Sequence, residues 1–302
     1  MSTEKIERGQ SVYISEYSEC RLCGRSCGVD RYKNVGFCNM PADIYISYYY
    51  LHQWEEPIIS GTRGSGTVFF AGCSLGCIFC QNRKISRGRN GKEVTTDELA
   101  DIMLELSGRG AHNINFVTPT HYSPSIKAAV SAARSRGLDI PIVYNTGSYD
   151  SIEALRALCG TVDVYLADLK FYLPKTARAL AFSENYPMIA KGAIDEMVRQ
   201  TGEPVIEEGL MRRGVIVRIL LLPEHIAEAK LTLKYLYSRY GDKIYISLMN
   251  QYTPMKDVPP PLDRPVTREE YRQLTDYAER LGVKNCFVQE WGTASESFIP
   301  DF

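Results

Sequence analysis

The sequence lacks any apolar run near the roughly 18 residues that a membrane-spanning helix needs, and its first ten residues are polar and charged. It also lacks a charge excess, since 35 Lys and Arg against 36 Asp and Glu leave a formal net charge of -1. These absences argue against a membrane span and against a general field for nucleic acid. We therefore expect a soluble cytoplasmic protein with neither a membrane nor a nucleic acid as partner.

Cysteine is present in number and in an unusual grouping. Only Cys159 and Cys286 stand alone among the nine cysteines. The other seven form an amino-terminal cluster and a second cluster: Cys20, Cys23, Cys27 and Cys38, then Cys73, Cys77 and Cys80. Clustered thiols in a reducing compartment indicate metal binding rather than disulfides.

From about residue 66 the sequence repeats a short β-branched or aromatic strand, a polar loop and an amphipathic helix. The predicted strands are 66–71, 114–117, 141–145, 162–167, 214–221 and 243–248. The predicted helices are 96–107, 123–136, 151–158, 225–239 and 267–281. A capping signal, Thr95 with Glu98, opens the first of these helices.

This alternation predicts an α/β fold with a parallel sheet covered by helices. Six units are too few for a closed eight-fold barrel, so we expect a partial (β/α)6 TIM-like barrel. Residues 1–60 are expected to form a small Cys-rich module with a strand near 44–50. Residues 61–302 are expected to form the core with a carboxyl-terminal extension, including a last strand at 285–289. Residues that carry chemistry should follow the strands at the carboxyl edge of the sheet.

The loop after the first core strand carries Cys73-x3-Cys77-x2-Cys80, with Phe79 just before the last cysteine. A structural zinc takes four protein ligands, whereas a 4Fe-4S cluster held by three leaves one iron open. The spacing therefore favours a 4Fe-4S cluster. A zinc site that borrows a distant ligand is the alternative.

This loop, in this place, resembles the signature of the radical S-adenosylmethionine (SAM) superfamily, and the likeness covers most of residues 60–290. The resemblance implies that SAM chelates the open iron through its amino and carboxylate groups. It also implies that one electron cleaves SAM to a 5′-deoxyadenosyl radical, which abstracts hydrogen from the substrate. A flavodoxin or ferredoxin is the implied electron donor.

Within that superfamily the chain is similar to the branch related to pyruvate formate-lyase activating enzymes. Strand-end positions carry this likeness: Asn82, Asn145, Thr146, Asp168, Lys170, Arg218 and Tyr252. The resemblance implies that Lys170 approaches the SAM carboxylate and that Asp168 helps to hold a monovalent cation. It places Tyr252 near the position of a histidine that touches the adenine in those enzymes, and Asn82 directly after the cluster loop.

The chain departs from the activating enzymes at the end of the second core strand. Their Gly-Gly-Glu segment, which receives the SAM amino group, is replaced by residues 117–122, Val-Thr-Pro-Thr-His-Tyr. The hydroxyls of Thr118 and Thr120, or backbone carbonyls, are the candidate acceptors for that ammonium. His121 either faces the site or is satisfied by local hydrogen bonds.

The spacing Cys20-x2-Cys23-x3-Cys27-x10-Cys38 supplies four thiolates, enough for a closed site. Zinc and an auxiliary iron-sulfur cluster both suit it, and reactive thiols without metal are a third interpretation. A module this small needs such a staple to fold.

Three functions remain open from the sequence. The chain activates a glycyl radical enzyme as its partner, or it modifies a small molecule or peptide directly, or it is a non-catalytic metal-binding scaffold.

Overall fold

A computed structural model describes residues 13–291, so the polar segment 1–10 and the last eleven residues lie outside the described part of the chain. The strands are β1 (Ile44–His52), β2 (Ser65–Phe70), β3 (Lys92–Val94), β4 (Ile114–Val117), β5 (Ile142–Thr146), β6 (Val164–Asp168), β7 (Val205–Glu207), β8 (Leu210–Leu220), β9 (Tyr245–Met249) and β10 (Cys286–Val288). The helices are α1 (Pro57–Ser60), α2 (Arg83–Ser86), α3 (Thr96–Gly108), α4 (Ser123–Ser135), α5 (Ile152–Ala157), α6 (Pro174–Ala181), α7 (Tyr186–Thr201), α8 (Ile226–Tyr240) and α9 (Arg268–Leu281).

The strands form one sheet in the order β10-β9-β8-β6-β5-β4-β2-β1-β3, with β7 paired to β8. The strands from β2 to β10 along this order are all parallel. The sheet is open, because β10 and β3 are its two ends. The predicted α/β fold with a partial barrel is therefore confirmed, and β10 adds a seventh parallel strand to the six predicted units.

Strand β1 is the predicted strand near 44–50, and it extends to His52. It pairs antiparallel with β2, so that His52 lies opposite Ser65. The carboxyl end of β1 therefore lies beside the amino end of β2, the first of the parallel strands. Helix α1 follows and lies at that same end of the sheet.

Two helices between β6 and β8 were not among the predicted ones. Both α6 and α7 carry proline in the first turn, where the missing N–H removes no helical hydrogen bond. In a sequence, however, a proline also indicates the end of a helix. Strand β8 begins four residues earlier than predicted because a hairpin with β7 extends it. By contrast, the Thr95 and Glu98 capping box of α3 forms as predicted.

The alternation of side chains along the strands sorts the barrel interior into layers. Val143, Leu166 and Ile216 point inward and pack with Ile59 of α1, which closes the amino end. Two residues further along the same strands come Asn145, Asp168 and Arg218, which line a cavity. An apolar layer thus supports a polar layer at the carboxyl edge. No helix of residues 13–291 has the length and apolar character needed to cross a membrane.

Candidate active site

The loop that follows β2 is held in one conformation by residues from other parts of the chain. Gly72 and Gly76 adopt positive φ angles of 82° and 71°, which L side chains adopt rarely. A Cβ on Gly72 would stand 2.2 Å from Met40 Cγ. Arg25 donates to the carbonyls of Ser74 (3.0 Å) and Leu75 (2.9 Å). The turns that present the three cysteines are therefore fixed by packing as well as by sequence.

The three cysteines of this loop line one cavity of about 630 Å³, a volume typical of a small-molecule site. Most of the sequence-predicted site residues line the same cavity: Phe79, Asn82, Thr118, Thr120, Asn145, Thr146, Asp168, Lys170 and Arg218. The structure therefore brings together groups that are up to 145 positions apart, counted from Cys73 to Arg218. Parallel strands explain this, because their carboxyl ends meet at one edge.

The donor set fits an iron-sulfur cluster. Burial raises the pKa of Cys77 to about 12, with Cys80 and Cys73 adding to the rise and Lys170 opposing it. The three thiols line one cavity, and a thiolate among them needs a positive centre such as iron. In the described part of the chain no group of three or more Cys, His, Asp or Glu is arranged to hold a metal ion. A four-iron cluster is larger than an ion and takes thiols that stand further apart.

A charged network lies beside the cysteines. Lys170 Nζ is 2.6 Å from Asp168 Oδ2, and Arg218 Nε is 2.7 Å from Asp168 Oδ1. Burial alone would raise the pKa of Asp168, but the two cations hold it below its ordinary value. Both carboxylate oxygens are thus paired with protein cations, so a monovalent cation at Asp168 would have to compete with them.

Two predicted residues do not line the cavity. His121 is 2% exposed, and its Nε2 pairs with the Ala71 carbonyl at 2.8 Å. Burial, aided by Arg31, lowers the pKa of His121 to about 3, so the ring is neutral. Tyr252 is fully buried and donates to the Leu262 carbonyl, while its ring packs edge-on against Phe79. His121 therefore fixes the start of the cluster loop, and Tyr252 supports Phe79.

The segment that replaces Gly-Gly-Glu builds a hydroxyl network. Thr120 Oγ1 lies 3.2 Å from Thr146 Oγ1, which donates to Asp150 Oδ2 at 2.6 Å. Thr118 has a φ of 59° and donates its N–H to the Asn145 carbonyl. Asp150 is 1% exposed and was not predicted as a site residue. A carboxylate thus lies behind the threonines at the ends of β4 and β5.

Glu55 and Glu56 also line the cavity and were missed from the sequence. Glu55 accepts from Asn115 (2.8 Å) and Asn145 (3.2 Å), and Arg218 lies 3.4 Å from it. Both acids follow β1 at the amino end of the sheet, whereas the rule for parallel sheets points to the carboxyl end. The one available signal was a pair of acids placed directly before Pro57.

The amino-terminal cysteines lie against the same loops. Cys20 exchanges backbone hydrogen bonds with Val29 and Gly28, and Gly24 donates to the Tyr149 carbonyl at 2.9 Å. Burial raises the pKa of Cys23 to about 12, and the other three thiols of the cluster add to the rise. Cys20 and Cys38 are buried, whereas Cys27 is exposed. In the described residues these four thiols are not arranged around a single metal ion, and whether they bind metal stays a prediction.

The open parallel sheet and its cysteine-lined cavity agree with an iron-sulfur enzyme, and the family comparison identifies the class. The family described as the Radical SAM superfamily matches residues 67–236, more than half of the chain. The chain belongs to the radical SAM superfamily. Members of this superfamily are enzymes, and the family implies a 4Fe-4S cluster and SAM as cofactors.

Relatives support the fold and leave the substrate open. The chain is 28% identical over 290 residues to the uncharacterized protein MJ0674 of Methanocaldococcus jannaschii, covering 92% of this chain and 78% of that protein. Streptococcus suis SuiB bound to S-adenosylmethionine is similar with a TM-score of 0.50 and 13% identity over 74% of this chain. The chain spans 50% of the SuiB structure. Native anSMEcpe with bound AdoMet has a TM-score of 0.50 and 14% identity, covering 72% of this chain and 61% of that one.

Lys170→Ala is expected to weaken SAM binding about 10- to 100-fold, because a hydrogen bond to a charged group contributes about 1.5–3 kcal/mol. The cluster spectrum should stay intact, since Asp168 keeps Arg218 as its partner. Lys33→Ala, at an exposed lysine paired with Asp30, is the matched control. Equilibrium titration of SAM into the three reconstituted proteins is the measurement. Equal affinity in all three would remove Lys170 from the SAM site.

Proposed function

We propose that this chain holds a 4Fe-4S cluster on Cys73, Cys77 and Cys80 and abstracts hydrogen from a substrate in the cavity beside it. The observation that carries the proposal is the meeting of three clustered thiols and a buried charged network in one cavity. When bound, the cluster supplies one electron that cleaves SAM reductively to methionine and a 5′-deoxyadenosyl radical.

The residues around the cavity have distinct roles in this proposal. Lys170 holds the SAM carboxylate by a charge-assisted hydrogen bond. Asp168, itself paired with Arg218, fixes the position of the Lys170 ammonium group. Thr118 and Thr120 accept the SAM amino group, with the Asp150 charge behind them. Phe79 and the apolar wall of the cavity exclude water from the reacting atoms.

Anaerobic reconstitution with iron and sulfide, followed by SAM and dithionite, tests the proposal. The expected result is 5′-deoxyadenosine and methionine in equal amounts. A protein that binds the cluster and SAM yet releases neither product would be a scaffold, and the enzymatic proposal would be wrong.

Activation of a glycyl radical enzyme is one form of this chemistry, and direct modification of a small molecule or peptide is the other. The strand-end residues Asn145, Asp168 and Lys170 support the first. The replacement of Gly-Gly-Glu supports the second, as does the buried carboxylate of Glu56, whose Oε2 has no partner in the described residues. Radical spectroscopy on a candidate partner distinguishes them, because only activation leaves a persistent radical on another protein.

We further propose that the cysteine-bearing part of residues 1–60, ahead of the core-sheet strand β1, has its own metal centre on Cys20, Cys23, Cys27 and Cys38. A variant in which Cys73, Cys77 and Cys80 are all alanine is then expected to bind metal stoichiometrically, because four thiolates need nothing from the barrel. Elemental analysis identifies the metal. Zinc alone indicates a structural clamp, whereas about four irons per chain indicate an auxiliary cluster that relays electrons from a flavodoxin or ferredoxin. A folded variant with neither metal would contradict the module.

A further inference from the structure

Glu56 is a buried carboxylate with one oxygen left unpaired in the described part of the chain. It is 8% exposed, and no residue among 13–291 hydrogen-bonds to its Oε2. Glu56 is the N-cap residue of α1, yet its side chain does not cap that helix. The capping bond that an acidic residue can make at a helix start is therefore missing. A buried acceptor left without a donor costs stability.

Arg218 does not donate to Glu56 Oε2, and its three described hydrogen bonds go to other side chains. Its Nε donates to Asp168 at 2.7 Å, its Nη2 donates to Asn145 at 2.7 Å, and its Nη1 lies 3.4 Å from Glu55. Burial raises the pKa of Glu56 above its ordinary value, although Arg218 and the Ser247 hydroxyl oppose the rise and Glu55 adds to it.

The largely buried charges around the cavity are not balanced. Four carboxylates line it, and three of them are largely buried (Glu55, Glu56 and Asp168), against the two cations Lys170 and Arg218. Asn115, which donates to Glu55, leaves its own Oδ1 buried and unpaired among the described residues. Both unsatisfied groups accept hydrogen bonds. A partner that satisfies them must donate hydrogen bonds, and a positively charged donor would also balance the excess carboxylate.

We infer that Glu56 binds a protonated primary amine of the substrate that loses hydrogen. The inference rests on the proposed function, because it names the substrate class for the same cavity. Glu56 lies at the α1 end of the cavity, and the three cysteines stand on the loop that follows β2. If Glu56 binds the amine, that end of the substrate is fixed near α1. The rest of the substrate can then extend toward the loop that carries the three cysteines.

SAM carries a primary ammonium as well, so two sources share this chemistry. Separate titrations of SAM and of a substrate-like amine into the same protein distinguish the two sources. If the substrate amine is the occupant, Glu56→Gln leaves SAM affinity unchanged and reduces the affinity for an alkyl diamine measured with SAM present.

The test uses the reconstituted protein with SAM and without reductant, so that no cleavage occurs. Calorimetric titration compares 1,5-diaminopentane with 1,5-pentanediol, which has the same length and no charge. We expect the diamine to bind at least about tenfold more tightly than the diol, and Glu56→Gln to remove at least about tenfold of that affinity. Glu203→Gln, the same change at an exposed glutamate, should bind both as the wild type does.

Each other outcome of these titrations overturns the inference. A wild type that does not prefer the diamine lacks an ammonium site, and a Glu56→Gln variant with unchanged diamine affinity places that site elsewhere. Loss of SAM affinity alone would assign Glu56 to SAM. The cleavage assay is run separately: failure to release 5′-deoxyadenosine, with the diamine result intact, would remove the proposed function and leave the amine site.

Thermal unfolding shows whether Glu56 is instead structural. Because the folded-state pKa of Glu56 is raised above 4.5, the wild type loses stability as the pH rises from about 4.5 through that folded value. Arg218, Glu55 and Ser247 are the groups that face it. Glu56→Gln is therefore expected to match the wild-type Tm near pH 5 and to exceed it near pH 8. A lower Tm at pH 8 would mean that the carboxylate stabilises the fold, which contradicts a ligand role.

Discussion

Cys77→Ala is expected to abolish the SAM-cleaving cluster and with it all release of 5′-deoxyadenosine. Cys77 is the middle ligand of the loop and is 7% exposed, so water or a buffer thiol cannot readily replace its sulfur. With two protein thiolates the cubane loses the only protein ligand of one iron. Cys73→Ala and Cys80→Ala should act in the same way, because each ligates a different iron.

Cys159→Ala is the matched control, since Cys159 is an isolated, exposed cysteine. The measurement is the visible absorption and iron content of each reconstituted protein, followed by the yield of 5′-deoxyadenosine. Full turnover in any of the three loop variants would show that the cluster is held elsewhere.

Arg218→Leu is expected to lower the free energy of unfolding by about 3–5 kcal/mol, the usual cost of removing one partner from a buried ion pair. Arg218 is 13% exposed and pairs with both Asp168 and Glu55. Removing it leaves carboxylates in a buried layer with Lys170 as the remaining cation that lines the cavity. Even Arg218→Lys should recover only part of the loss, because lysine cannot donate to several acceptors in one plane.

Urea unfolding of the wild type, Arg218→Leu and Arg272→Leu provides the comparison. Arg272 pairs with Glu269 on the exposed face of α9, so its loss should leave stability close to that of the wild type. A similar effect of both variants would show that the buried network contributes nothing beyond an ordinary surface pair.

Local patterns made the core of the fold predictable. Six strands are short apolar runs with clear boundaries: β2, β4, β5, β6, β8 and β9. The cysteine loop is recognised from its residue spacing alone, without knowledge of tertiary contacts. Helices α6 and α7 were missed because Pro174 and Pro187 mark a helix start as readily as a break. In both helices the same proline is compatible with a helix start and with a loop.

Site residues were predictable where strand periodicity decides their direction. Asn145, Asp168 and Arg218 line the cavity because each stands two positions after an inward apolar residue. His121 was placed by sequence proximity alone, and tertiary packing turns its ring to the Ala71 carbonyl. Glu56 enters the cavity from the amino end of the sheet, where the helix α1 closes the barrel. No local pattern encodes such an approach.

The most direct test of the central claim is the electron paramagnetic resonance spectrum of the reduced cluster before and after SAM is added. If Cys73, Cys77 and Cys80 leave one iron open to SAM, adding SAM must change the spectrum, and SAM labelled with ¹⁷O in its carboxylate must add hyperfine coupling to it. The Cys159→Ala variant should behave in the same way. A reduced 4Fe-4S spectrum that SAM leaves unchanged would contradict the assignment of this cavity as a radical SAM site.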